Sequence, residues 1–257
     1  LAVRKSRCRV RGRCGTKPGS LLKTQIPIRT DNWDVTRPGW IEADSVAHCG
    51  TSLEGDFIWS VTYTDIFSGW TSLRAVFNKG AAGIVAATRQ VEAALPFELA
   101  GFDFDNGSEF LNWHLVSYFQ NRRKRVGFTR SRPYHKNDNG HVEQKNWTHV
   151  RQLLGYERLE DPELCTPINT IYRELWEPLH NYFCPSAKLI SKDRHGAKIK
   201  RRPDAPQTPC DRLLASDAID PDTKARLRAT RAALNPFELQ RRLEQALRPV
   251  LQRALRS

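Results

Sequence analysis

The sequence has 257 residues, of which 39% are hydrophobic and 7 are Trp, enough to bury the core of one good-sized domain or two small ones. This composition excludes wholesale disorder. No run approaches the roughly 18 apolar residues of a membrane span, and no signal-peptide pattern is present. We therefore expect a soluble, cytoplasmic protein with no membrane partner. The 6 scattered cysteines contain no Cys-x-x-Cys pair, which favours reduced thiols over a disulfide or zinc framework.

The charge is divided unevenly along the chain. Residues 1–39 carry a net charge of +8, residues 40–184 carry −4 and residues 185–257 carry +9, which give the +13 of the whole chain. We expect a basic N-terminal arm, a central domain and a basic C-terminal region with helices in these three ranges. An acidic centre between basic flanks suits a metal-using site whose arms hold a polyanion. Basic tails that are only solvated give the same pattern, so charge alone names no reaction.

Three strands are predicted at the start of the central domain. The ranges 41–49, 57–64 and 71–77 are rich in aromatic and β-branched residues and are separated by glycine-containing turns, which indicates an antiparallel meander. Residues 80–95 then place apolar side chains at helical spacing, so a helix is expected to pack across the sheet.

The next elements complete a sheet with helices on it. Residues 99–105 have the short apolar pattern of a buried parallel strand. Asn106 can cap a following helix with Glu109 as its capping-box partner, and the basic run 122–125 is expected in that helix's last turn. Residues 126–130 form a fifth predicted strand. The order β-β-β-α-β-α-β-α predicts an α/β fold with a ribonuclease-H-like mixed five-stranded sheet flanked by helices, followed by the basic C-terminal extension.

A helix over residues 139–155 carries Glu143. Trp147, Val150 and Leu154 follow Glu143 by 4, 7 and 11 residues, so Glu143 is predicted to be the one charged member of an apolar face. A carboxylate that points towards the protein body needs a partner, and a metal ion supplies one.

The C-terminal part contains further helical patterns. Thr166 and Pro167 are predicted to begin a helix that Pro178 kinks. Residues 186–209 are basic and fit either a small β-hairpin or a linker along DNA. Two more helical segments follow, and the second has a leucine at every fourth position from Leu239 to Leu255, which favours a helix docked on the domain.

Three carboxylates are placed on separate predicted elements. Asp44 lies within the first strand, Asp105 ends the fourth strand and Glu143 lies on a helix. Two-metal phosphoryl transfer needs such converging carboxylates, whose oxygens suit Mg²⁺ or Mn²⁺. Asp103 rivals Asp105 because strand alternation puts both on one face. Asp65 rivals Asp44, but it is better interpreted as a turn residue.

These residues carry a resemblance to a known family. The pieces Trp40-x-x-x-Asp44, Asp105-Asn106-Gly107-Ser108-Glu109-Phe110 and Asn139-Gly140-His141-Val142-Glu143 occur in order, with 37 residues between Asp105 and Glu143. The sequence resembles the catalytic core of the retroviral-integrase superfamily, in particular the Asp-Asp-Glu (DDE) transposases of bacterial insertion sequences. The resemblance covers about residues 20–185, and residues 40–184 would be the integrase catalytic core.

The resemblance implies a mechanism and partners. Asp44, Asp105 and Glu143 would be the catalytic, metal-binding residues; water would free a 3′-hydroxyl at the element's end, and that hydroxyl would attack target DNA. DNA and further copies of the chain would be its partners. Five residues near the site in sequence could touch DNA, although a solvated surface role fits them equally well: Tyr134, His135, Lys136, Lys145 and Arg151. His48 and Cys49 are interpreted as a satisfied strand-end pair rather than metal ligands.

One departure from the family leaves alternatives open. Such transposases carry upstream helix-turn-helix domains, whereas residues 1–39 contain no such pattern; the start at Leu1 and the absence of Met suggest a fragment. A hydrolytic nuclease of the same fold and a truncated, non-catalytic DNA-binding remnant therefore stay as alternatives.

Overall fold

The first three strands of the central region form the antiparallel meander that their sequences predict. The structure, a computed structural model, describes Ile26 and residues 36–104, 113–130, 145–195 and 198–254. Strands β1 (Trp40–Ala47), β2 (Ile58–Asp65) and β3 (Thr71–Phe77) pair antiparallel in chain order.

Two short strands extend the sheet on the other side of β1. Strand β4 (Gly101–Phe104) runs parallel to β1, and β5 (Gly127–Arg130) runs parallel to β4. The described strands therefore form a mixed five-stranded sheet in the order β3-β2-β1-β4-β5, with β1 at its centre. The predicted ribonuclease-H-like arrangement is confirmed by this order and by the helices that flank the sheet.

Helices α1 (Ala81–Ala94) and α2 (Trp113–Gln120) cover one face of the sheet. Alternate residues of β1, β2 and β4 pack with them in a core that includes Ile41, Ala43, Tyr63, Ile84, Phe102, Phe104 and Phe119. Since successive strand residues point to opposite faces, the intervening residues Glu42, Asp44 and Asp103 belong to the other face.

The basic run 122–125 does not lie in the last turn of α2, and that prediction is wrong. The helix ends at Gln120, and the chain turns back towards β5. Arg122 then lies over the ring of Tyr118, 4.5 Å from its centroid, and pairs with Glu92 of α1. The cation thus ties α2 to α1, and its Nε also donates to the Tyr118 carbonyl in the last turn of α2 at 3.3 Å.

Helices α3 and α4 cover the opposite face. Helix α3 comprises Asn146–Arg151 and Gln152–Leu154; α4 comprises Cys165–Ile171, Tyr172–Trp176 and Glu177–Phe183. They share a core with Val46 of β1, with β2 and β3, and with the final helix. Asp44 lies on the same face of β1 as Val46, directly beside this core.

The predicted apolar face of α3 is wrong at one residue. Val150 and Leu154 are buried as expected, but Trp147 is 51% exposed. Residues Asn146–Arg151 are π-helical, and the wider turn changes which side chains share a face. Asn146 therefore faces the sheet.

The predicted start of α4 at Thr166 is also wrong. The Asp161 side chain accepts a hydrogen bond from the Glu163 amide, and Pro162 begins a short 3₁₀ turn that leads directly into α4. Pro178 lies inside α4, which continues to Phe183 after a π-helical turn at Tyr172–Trp176.

The C-terminal region begins with a β-hairpin, the first of the two forms predicted for residues 186–209. Strands β6 (Leu189–His195) and β7 (Lys198–Pro203) pair antiparallel and form a sheet of their own. Helices α5 (Pro209–Ala215), α6 (Pro221–Ala233) and α7 (Pro236–Ala254) follow, and α5 had not been predicted.

Helix α7 docks on the domain, as its leucine spacing predicts. Leu239 and Leu243 are buried in the core that α3 and α4 share, and the helix continues through Pro249. In the described ranges no helix combines the length and apolarity that crossing a bilayer requires. Cys49, Cys165, Cys184 and Cys210 are free thiols, as expected.

Side chains of α4 close the outer edge of β3. Asn169 accepts from the Ala75 amide and donates to the Ala75 carbonyl, both at 2.8 Å. Asn181 does the same with Thr71, both at 2.9 Å, and Glu177 accepts from the Leu73 amide at 2.9 Å. The backbone groups that an edge strand would offer to another chain are thereby satisfied from within.

Replacing Asn181 by Ala is expected to lower the free energy of unfolding by about 2–5 kcal/mol, because two buried backbone groups of Thr71 lose their partners. Asn169→Ala removes equivalent bonds at a half-buried site that water can reach, so it should cost less. Urea unfolding of both variants checks this. Losses below about 0.5 kcal/mol in both would show that the edge does not need these side chains.

Candidate active site around Asp44

Asp44 lies on the central strand and is held from two sides. The Ser45 amide donates to Asp44 Oδ1 at 2.7 Å, and Asn146 Nδ2 donates to Asp44 Oδ2 at 2.6 Å. The carboxylate is half-buried, facing α3. Two donors from different elements fix its orientation, and charge-assisted hydrogen bonds of this kind are the stronger ones.

Two oxygen atoms near Asp44 have no hydrogen-bond partner in the described part of the chain. Thr62 is the register partner of Asp44 on β2, and its Oγ1 is buried and unsatisfied. The Oδ1 of Asn146 is buried and unsatisfied too, although the same amide binds Asp44 through Nδ2. Buried polar atoms almost always have partners. Neutral oxygens beside a carboxylate are ligands or water anchors that suit Mg²⁺, so these residues fit a hard divalent cation.

Glu42 and Asp103 lie on the same face of the sheet as Asp44, but they are more deeply buried than Asp44. They are register partners on β1 and β4, each at most 1% exposed, and Thr129 donates to Asp103 Oδ1 at 2.6 Å. A carboxylate enclosed in the sheet is poorly placed to meet a substrate, which favours Asp105 as the second acid.

Two members of the predicted triad, Asp105 and Glu143, lie outside the described residues, so their roles stay predictions. Within the described ranges, no three His, Cys, Asp or Glu side chains form a group that could hold a metal ion.

Asp65, the rival for the first acid, has a structural role. Its Oδ1 accepts from the Gly39 amide at 2.8 Å, and its Oδ2 accepts from the amide and hydroxyl of Ser68 at 2.7 and 2.6 Å. Burial raises the pKa of Asp65, and these hydrogen bonds act against that rise. Asp65 is the last residue of β2 and not part of the turn itself, but its side chain holds the turn that follows, which is a structural role as expected.

His48 belongs to a buried hydrogen-bond chain. Its Nε2 lies 2.8 Å from Ser60 Oγ, which lies 2.7 Å from the Tyr172 hydroxyl of α4. Burial, aided by the positive charge of Arg151, lowers the pKa of His48 to about 3. Only one ring nitrogen has the expected partner, because His48 Nδ1 is buried without a hydrogen-bond partner among the described residues. The hydrogen-bond chain links the end of β1 to β2 and α4 behind the site.

Two of the five predicted DNA contacts can be examined. Arg151 donates to the Ala47 carbonyl at 2.9 Å, so part of its guanidinium holds the end of β1. Lys145 is half-buried; burial and then the charge of Arg212 lower its pKa, while Cys184 acts in the opposite direction. Tyr134, His135 and Lys136 lie outside the described residues. Contact with DNA stays a prediction for all five.

Asn146 is the residue that the sequence interpretation missed. It follows Glu143 by three residues, and side chains three apart share a helix face. That spacing was the available signal, but the apolar Trp147 at four residues was chosen as the neighbour instead.

The comparisons with known proteins give one curated relative and several solved structures. No family model matches the chain. An uncharacterized protein, y4rM of Sinorhizobium fredii, is 39% identical over 191 residues, which are 74% of this chain and 54% of that protein. The chain therefore spans about half the length of this relative.

Solved structures similar to this chain include retroviral integrases. A chain in the simian T-cell lymphotropic virus intasome with the PP2A regulatory subunit B56 gamma is 18% identical at a TM-score of 0.38, covering 54% of this chain and 46% of that one. The BIV integrase catalytic core is 14% identical at a TM-score of 0.34, covering 46% and 66%. The HTLV-2 integrase catalytic core in complex with magnesium is 18% identical at 0.34, covering 45% and 68%. Because these TM-scores are low, the fold assignment rests on the strand order and register.

Acid is expected to destabilise the protein through its buried histidines. His48 and His180 have pKa values of about 3 and about 4, mainly because burial disfavours the charged ring, and the pKa of His149 is also lowered. Unfolded histidines take a proton near pH 6.5, so the unfolded chain binds more protons below that pH. The free energy of unfolding should fall from about pH 6.5 towards pH 4, by up to about 1.4 kcal/mol per pH unit for each histidine.

Urea unfolding between pH 7 and pH 4 measures this slope. His48→Asn should make it shallower by up to about 1.4 kcal/mol per pH unit. His114→Asn, at an exposed position of α2, is the control, because it replaces a histidine outside the buried hydrogen-bond chain. Equal slopes for wild type and His48→Asn would show that protonation of His48 does not contribute to the loss of stability in acid.

Proposed function

We propose that this chain is the catalytic part of a DDE-type polynucleotidyl transferase, a transposase or integrase that cuts DNA and joins DNA strands using Mg²⁺ or Mn²⁺. The observation that carries the proposal is Asp44 on the central strand of a ribonuclease-H-like sheet, held by Asn146 of α3 beside two oxygen atoms that have no partner among the described residues. This is an oxygen-rich, rigid setting of the kind that divalent metals need.

Two features support Asp105 and Glu143 as the other members of the site. Strands β1 and β4 run parallel and in register through the pair Ala43–Phe104, and Asp44 and Asp105 are the next residues of the two segments. Glu143 precedes Asn146 by three residues, and Asn146 contacts Asp44. Helical spacing would put Glu143 on the face of Asn146.

In this proposal Asp44, Asp105 and Glu143 would hold the metal ions. When bound, the metals would activate the attacking oxygen and stabilise the leaving oxygen of a phosphodiester. The chain's own contribution is rigidity. The strand backbone and the Ser45 amide fix Asp44, and Asn146 sets which oxygen of the carboxylate faces α3. Partners that orient a ligand in this way tune metal affinity.

DNA is the proposed partner of the basic C-terminal region. The β6–β7 hairpin contains one acid, Asp193, against six Lys and Arg, namely Lys192, Arg194, Lys198, Lys200, Arg201 and Arg202. A two-stranded ribbon fits a DNA groove, and cations release counterions from its backbone. The same proposal implies that the chain self-associates on paired DNA ends and is located in the cytoplasm, associated with the nucleoid.

Asp105→Asn is expected to abolish metal-dependent cleavage and strand joining, because the amide lacks the negative charge that a carboxylate contributes to a divalent cation site. Asp103→Asn should retain most activity, since Asp103 is buried and bonded to Thr129. A plasmid-nicking and strand-joining assay measures both variants, with thermal unfolding as the check on folding. Activity in Asp105→Asn equal to wild type would sink the assignment.

The products of the same assay separate the alternatives. Cleaved but never joined DNA would indicate a hydrolytic nuclease. Salt-dependent DNA binding without any metal-dependent turnover would indicate a non-catalytic remnant.

Asn146→Ala should raise the Mg²⁺ concentration that gives half-maximal cleavage by about 10–100-fold, because Asp44 loses the donor that orients it. Gln152→Ala changes an exposed residue of the same helix and should leave the metal dependence unchanged. A titration of cleavage rate against Mg²⁺ makes the comparison. An unaltered midpoint in Asn146→Ala would exclude a positioning role.

A further inference from the structure

The π-helical stretch of α3 leaves an aromatic surface in solvent, formed by Trp147 and Tyr156. Trp147 is 51% exposed and Tyr156 is 59% exposed. Their ring centroids are 6.3 Å apart and the ring planes meet at 49°. The two rings therefore touch at an angle, and both keep a broad face accessible. Such side chains in contact at a surface commonly mark a binding site.

A fixed positive charge lies against this aromatic surface. The Arg151 guanidinium is 4.8 Å from the centroid of the Tyr156 ring. Its Nη2 donates to the Ala47 carbonyl at 2.9 Å, which ties the side chain to the end of β1. The charge is therefore held on a rigid element instead of at the end of a mobile side chain.

Trp147 of the aromatic surface lies next to the candidate active site along α3. Trp147 directly follows Asn146, whose amide donates to Asp44 at 2.6 Å. Within α3, one residue thus contacts the carboxylate and the next presents a ring to solvent. A substrate whose phosphate lies at Asp44 would have its neighbouring nucleotides within reach of this surface.

We infer that Trp147 and Tyr156 stack on unpaired nucleobases of the DNA substrate, with Arg151 meeting the adjacent phosphates; this rests on the proposed function. Aromatic rings interleaved with cations bind single strands because every base has a π face. Bases inside a duplex keep their faces stacked on each other. The surface therefore selects DNA with unpaired bases beside the cleavage point, such as a frayed end or a short overhang.

The size of the surface argues for a nucleic acid over a second copy of the chain. Two half-exposed aromatic side chains present on the order of 200 Å², given the 150–250 Å² that such residues bury in full. A stable protein interface needs about 800 Å² from each partner. Two exposed rings with one fixed cation match a base and its phosphate in size.

The test measures DNA binding by fluorescence anisotropy with the full 257-residue chain. It is done without metal and at one fixed salt concentration. Two probes are compared: a blunt duplex, and a duplex of equal total charge with a short unpaired 3′ overhang. Trp147→Ala should weaken binding to the overhang probe about 5-fold or more and change binding to the blunt duplex much less. Trp147→Phe should restore most of the lost affinity, and Tyr156→Ala should act in the same direction as Trp147→Ala.

Phe237→Ala is the matched control, since Phe237 is an aromatic residue of α7 that is 84% exposed. It should behave as wild type on both probes. Equal affinities of wild type and Trp147→Ala, or equal losses on both probes, would overturn the inference. A change in oligomeric state of Trp147→Ala in sedimentation would overturn it in favour of self-association. Wild type that binds neither probe would overturn the proposed function itself, which is a distinguishable result.

Discussion

The hydrogen bond from Asn146 to Asp44 connects the two parts of the molecule on which the candidate site depends. Asp44 belongs to the central strand of the sheet and Asn146 to a helix 102 positions later in the chain. The bond sets the orientation of the carboxylate and leaves the Asn146 Oδ1 buried without a partner among the described residues. A buried amide oxygen without a hydrogen-bond partner lowers stability unless something else binds it.

The packing behind the site keeps this contact in place. Helix α4 closes the edge of β3 with Asn169, Glu177 and Asn181, so the sheet ends in side-chain bonds instead of another strand. Trp176 of α4 also donates to His149 of α3 at 3.1 Å. Helix α3 is therefore held between the central strand and α4. Its histidine stays neutral because burial lowers its pKa.

Local patterns in the sequence predict much of this fold. Strands β1 to β3 follow from their composition and turns, and β4 and β5 from short apolar runs between helices. The π-helical turns of α3 have no such pattern, so Trp147 was assigned to the buried face. The start of α4 was placed at Thr166 because Thr-Pro resembles a cap, whereas Asp161 and Pro162 form the real one. The role of Asn146 depends on a contact across 102 positions, which helix spacing alone cannot select.

The proposal depends most on a divalent metal bound by Asp44. Crystals of the chain soaked with Mn²⁺ and measured at the manganese absorption edge locate that ion directly. The proposal predicts an anomalous peak about 2.0–2.2 Å from an Asp44 carboxylate oxygen, with Asp105 and Glu143 completing the ligand set. A peak bound elsewhere, with no ion at Asp44, would contradict it.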